Sequence, residues 1–166
     1  MSTSIQRQQP LPGQESVWDY PRPPHVEPTN KHLRVIFNGE TIAETTRAYR
    51  VLETSHPPVY YIPPADVRME YLSSTNRSTF CEFKGAAIYW TIRLDGRMSE
   101  NFAWSYGQPA AGYEVIKNHL AFYPSKVDAC YVDDELVQPQ EGDYYGGWIT
   151  HDIVGPFKGG VGTFSW

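Results

Sequence analysis

The sequence predicts a mainly β domain with one short helix and extended terminal arms. Short runs alternate apolar and polar residues with period two, as half-buried strands do. Asn38-Gly39 and Asp95-Gly96 are strong hairpin signals, because both central residues of a type I′ turn need positive φ. The 14 prolines and 13 glycines among 166 residues break up long helices.

Residues 1 to about 14 are polar and read as disordered. Ser16 to Pro24 sets Trp18 and Tyr20 among prolines, an extended, polyproline-like stretch whose aromatics must dock on a surface. Residues 1–30 therefore form an N-terminal arm and 31–139 the domain. Leu33, Val35 and Phe37 alternate as a strand, with Thr41–Thr46 as hairpin partner and Tyr49–Thr54 as a third strand. Pro63 to Arg68 suits one helical turn, since proline is tolerated at a helix start. Ser78–Phe83, Ala86–Leu94 and Met98–Tyr106 follow as strands. On the second of these, Ile88, Trp90, Ile92 and Leu94 share one face, and Tyr89, Thr91 and Arg93 the other. Pro109–Asn118 is the helix candidate, with Tyr113, Ile116 and Leu120 spaced for one buried face. His119–Tyr123 and Val127–Val132 close the domain, with a turn at Asp133-Asp134. Residues 140–166, rich in glycine and aromatics, form a C-terminal arm.

Charge and composition bound the function. A net charge of -5, with lysines and arginines never adjacent, gives neither the basic face of a nucleic-acid binder nor a polybasic membrane patch. No stretch approaches the ~20 apolar residues of a membrane span. Cys81 and Cys130 are too few for a disulfide scaffold, and Met1 to Gln14 lacks a signal-peptide pattern. These features predict a cytoplasmic protein with free thiols and no metal. Twelve tyrosines suit half-buried pockets and interfaces.

The most informative stretch runs from Arg47 to Gly85. It holds Glu53-Thr-Ser-His56-Pro-Pro-Val-Tyr-Tyr61 and Cys81-Glu-Phe-Lys84-Gly85. With the Asn38-Gly39 hairpin, Ala87, Tyr89-Trp90, Trp104-Ser-Tyr106 and Asn118-His119-Leu-Ala-Phe-Tyr123, it resembles the domain of unknown function 427 family over about Lys31 to Pro139. The terminal extensions resemble a longer subfamily. The chain departs from the family at Cys81-Glu82, where Cys-Pro is expected. The resemblance implies a β-tent-like fold, two small antiparallel sheets leaning together over a cavity. The architecture is similar to methionine sulfoxide reductase B and the ligand-binding domain of cereblon, many of whose relatives hold zinc with four cysteines. This chain has two cysteines and no Cys-x-x-Cys, so that zinc is expected to be missing. The family's nucleotidyltransferase-like label finds no matching residue pattern here.

Cys81, Lys84 and His56 are the catalytic candidates. A cation beside a thiol stabilises the thiolate. On a regular strand, residues 81 and 84 face opposite ways, so a bend at Lys84-Gly85 is needed to join them. A buried inert cysteine beside a surface lysine is the commoner arrangement. His56, in a proline-held loop, suits acid–base work or a plain backbone bond. Arg47, Arg50, Glu53, Tyr60, Tyr61, Trp104, His119 and Tyr123 are the ligand-binding candidates. Arginines grip anions, although structural ion pairs with Glu53 or Asp66 are more frequent. A zinc site from His56, Cys81, His119 and Cys130 lacks any tight pair spacing. The polar motifs predict one shared cavity, and three functions follow. The first is binding a small polar or anionic ligand, with no cofactor. The second is a thiol-dependent enzyme using Cys81. The third is a homodimer joined by the aromatic arms.

Overall fold

The computed structural model describes residues 5–142 and 144–166. Its strands in chain order are β1 (Glu15–Ser16), β2 (His25–Thr29), β3 (Leu33–Phe37), β4 (Glu40–Thr45), β5 (Ala48–Leu52), β6 (Val59–Tyr61), β7 (Leu72–Cys81), β8 (Gly85–Leu94), β9 (Arg97–Ser105), β10 (Ala121–Phe122), β11 (Ala129–Val132), β12 (Glu135–Leu136), β13 (Gln138–Pro139), β14 (Trp148–Ile149) and β15 (Ile153–Val154). They form two four-stranded antiparallel sheets, ordered β10-β9-β8-β7 and β12-β11-β3-β4, a three-stranded sheet β2-β5-β6, and the two-stranded pairs β1-β15 and β13-β14. The fold is mainly β. Both dipeptide hairpins form, with φ of 51° and 80° at Asn38-Gly39 and 50° and 79° at Asp95-Gly96. Asp133-Asp134 turns the chain the same way between β11 and β12.

The helix expected over Pro109–Asn118 is absent. One 3-10 turn, Glu114–Ile116, takes its place. Gly112 interrupts the segment at φ 96°. The flanking amides also bond elsewhere, Ala110 N–H to the Lys84 carbonyl and Asn118 N–H to that of Tyr106. The apolar spacing still served burial, since Tyr113, Ile116 and Leu120 are all inside. None of the helices among the described residues is long and apolar enough to cross a membrane.

Two cores share the strand β8. The main core packs Leu33, Val35 and Phe37 against Ile92, Leu94 and Phe102. The second packs Val51 and Tyr61 against Ala87, Tyr89, Trp104 and Tyr106. The strand's faces are therefore covered at different ends. Ile88 is 39% exposed while Ile92, on the same face, is fully buried. A bulge in β9 marks the changeover, with Asn101 at φ 51° and its amide donating to Thr91 Oγ1 at 3.1 Å. Bulges increase local twist, which lets one sheet serve two cores.

The arms pack on this body and on each other. β1 pairs in parallel with β15. The Trp18 and Trp166 rings lie 5.4 Å apart, and the Trp18 indole donates to the Pro156 carbonyl at 2.9 Å. Trp148 is fully buried in the main core and donates to the Phe122 carbonyl at 3.0 Å.

Candidate functional site

The loop after β5 is the first wall of the site. Ser55 is at φ 73° and fully buried, and its Oγ has no hydrogen-bond partner among the described residues. A non-glycine residue held there carries local strain that the surroundings must overcome. They do so from both arms. Ser55 N–H donates to the Val17 carbonyl at 3.1 Å, and Lys158 N–H to the Ser55 carbonyl at 2.9 Å. Pro57 and Pro58 then carry the chain into β6.

The second wall is the turn between β7 and β8. Glu82, Phe83 and Lys84 form the turn, and Gly85 at φ 109° starts the next strand. This bend brings Cys81 and Lys84 to the same cavity. The third wall is aromatic and comes from the sheets. Trp104 lies 4.6 Å from Tyr123 and donates to Tyr61 Oη at 3.4 Å. The C-terminal arm supplies the roof. Tyr145 meets the His56 ring edge-on at 4.6 Å, and Tyr123 Oη donates to the Tyr144 carbonyl at 3.0 Å.

Together these enclose about 240 Å³. Glu53, His56, Cys81, Lys84, Tyr61 and Trp104 border it, and Tyr123 completes the set from the sequence candidates. Arg47, Arg50, Tyr60 and His119 lie elsewhere. Arg47 forms a bidentate pair with Asp66 at 2.9 and 3.1 Å on the surface. Arg50 joins Glu15 at 2.5 Å and Glu27 at 2.6 Å. Tyr60 is buried against Trp148, 5.2 Å away in the main core. His119 bonds the Lys117 carbonyl and edges onto Tyr49. The expected arginine lining is thus replaced by a lysine. Parity explains the absence of Arg50, which lies beside Val51 on β5 where only Val51 faces the cavity, and Asp66 claims Arg47.

The electrostatics follow from burial. Burial works against the Lys84 ammonium, yet Tyr61, Cys81 and Glu53 close by raise it above the ordinary lysine range, the Glu53 carboxylate being the standing negative charge among them. It is the cavity's resident cation. Burial, aided by the charges of Lys158, Arg22 and Lys84, lowers His56 to about 3. These outweigh the Glu53 carboxylate, 3.7 Å from Nε2 and itself paired with Arg22 at 3.4 Å. Burial also pushes the Tyr61 and Tyr106 phenols up, so both remain hydrogen-bonding hydroxyls. Cys130 sits apart in the main core, where burial pushes its thiol up. Among the described residues, no three His, Cys, Asp or Glu gather as a metal would need.

Sequence reasoning missed Tyr106, Tyr144, Tyr145 and Gln140. Tyr106 carried a signal, as it closes the Trp104-Ser-Tyr motif. The other three belong to the C-terminal arm, whose docking site no local pattern encodes.

A family model described as a domain of unknown function (DUF427) matches residues 25–133. No curated protein matches the chain.

Proposed function

The chain belongs to this DUF427 family, and we propose that its aromatic cavity binds a small anionic ligand. The carrying observation is Lys84, a charged ammonium kept among aromatic walls. Apolar lining with a few convergent polar groups is the usual character of a small-molecule site. The flat rings supply contact area, and the ammonium supplies the charge-assisted bond that orients the ligand. Calorimetric titration of acetate, benzoate and inorganic phosphate tests this in the wild type and in Lys84→Met. Binding in the wild type and a loss of about tenfold to a hundredfold in the variant are expected for one bond to a charged group. Equal affinities in the two proteins would sink the reading.

A second reading rests on Cys81. Cys81 and Lys84 border the same cavity, so a thiol and an amine face the same space. Cys81 is half-buried at the cavity, whereas Cys130 is 1% exposed. Iodoacetamide is therefore expected to label Cys81 well before Cys130. Slow labelling at equal rates removes the thiol chemistry and leaves the binding module. Acid–base work by His56 is not part of either reading, because a group held near 3 is a weak base at neutral pH.

A further inference from the structure

The cavity's histidine is held by the C-terminal arm, and the chain of hydrogen bonds fixes its tautomer. Gly147 N–H donates to Gln140 Oε1 at 3.0 Å, so that end of the amide is the oxygen. The other end, Nε2, donates to the Lys158 carbonyl at 2.7 Å. An amide nitrogen offers no lone pair. At 3.2 Å from His56 Nδ1 it is therefore the donor, and Nδ1 the acceptor. The single imidazole proton then sits on Nε2. Moving it to Nδ1 would set two donors face to face in a buried place, since Gln140 is 3% and His56 8% exposed. The groups around the ring are the Gln140 amide, the Glu53 carboxylate, the Tyr145 ring and the charges of Lys158, Arg22 and Lys84. Glu53 at 3.7 Å is beyond hydrogen-bond reach of Nε2, and no other described residue accepts from it. An unpaired N–H thus belongs to a ring that borders the cavity.

Building on the anion-binding reading, we propose that Gln140 is a specificity-determining residue. It fixes His56 as a neutral Nε2–H donor that works with the Lys84 ammonium, so the cavity selects ring carboxylates over the matching ring amines. Two donors suit the two oxygens of a carboxylate. The rings of Trp104, Tyr123 and Tyr145 around the cavity suit a flat ring. A ring amine would set an ammonium against Lys84 and leave the Nε2–H without an acceptor, while the Glu53 carboxylate at the cavity is already paired with Arg22 at 3.4 Å.

Side-chain nitrogen NMR of the full chain reads the tautomer, and titration with benzoate and benzylamine reads the selection. Neutral, Nε2-protonated His56 is expected at pH 7, with benzoate bound and benzylamine not. In Gln140→Leu the tautomers should mix, and benzoate should bind about tenfold more weakly, as the loss of one bond to a charged partner implies. A wild-type His56 protonated on Nδ1 overturns the inference, even if the variant fails to fold. So does a Gln140→Leu protein with mixed tautomers and unchanged benzoate affinity, or a wild type that binds benzylamine as tightly. If acetate or phosphate binds through Lys84 but benzoate does not, the anion reading stands and this inference falls. If no probe binds, both fall.

Discussion

At the scale of single residues, His56 couples the site to stability. Its value in the folded chain, about 3, lies below the ordinary 6.5. Between those two values the unfolded chain takes up a proton that the folded chain refuses. Stability is therefore full above about pH 6.5 and falls as the pH drops toward 3. From pH 7 to pH 5 the loss amounts to about 2 kcal/mol. Urea denaturation of the wild type and His56→Asn checks this, because other groups titrate alike in both. The gap between the two proteins should shift by that amount, and a constant gap means that His56 is not held neutral. Much of this site was legible in the sequence. Glu53, His56, Cys81, Lys84, Tyr61, Trp104 and Tyr123 do share one cavity. Arg47 and Arg50 were chosen for their chemistry, yet Asp66, Glu15 and Glu27 claim them. A sequence shows which groups can grip an anion but not which are already paired.

At the scale of elements, hairpins were legible because their signals are local. An Asn-Gly or Asp-Gly pair dictates φ whatever lies around it. The strand β7 begins at Leu72, earlier than the apolar pattern suggested. It is an edge strand of its sheet, mostly exposed on both faces, so nothing selects alternation there. The absent helix failed for the opposite reason, since tertiary hydrogen bonds claimed its backbone. The roof depends on a glycine. Gly146 sits at φ 72°, and a Cβ there would lie 2.7 Å from the Trp104 ring and 2.9 Å from Tyr123. Gly146→Ala should therefore cost about 1–3 kcal/mol through backbone strain and overpacking. It should also weaken any ligand that needs the roof. Thermal unfolding indistinguishable from the wild type would mean that the arm does not press on these rings.

At the scale of the whole molecule, the arms satisfy their own tryptophans. Trp18 meets Trp166, and Trp148 lies in the main core. A homodimer would then rest on other apolar side chains left in solvent, such as Phe80 at 74% and Phe164 at 93% exposure. Light scattering tests that proposal. A two-subunit mass for the wild type and a lower one for Phe164→Ser are expected, and a one-subunit wild type removes the dimer. The burial of Trp148 has a wider consequence. It stands two positions after Gly146, so the roof of the cavity is anchored by a core residue. Emptying such a position costs about 3–5 kcal/mol, a large share of the 5–15 kcal/mol that holds a domain together. Losing Trp148 would therefore remove the ceiling over the cavity and a large share of the folding stability in the same step. The folded body and the covered cavity thus rest on one side chain, whereas Tyr144, with no place in either core, belongs to the cover alone.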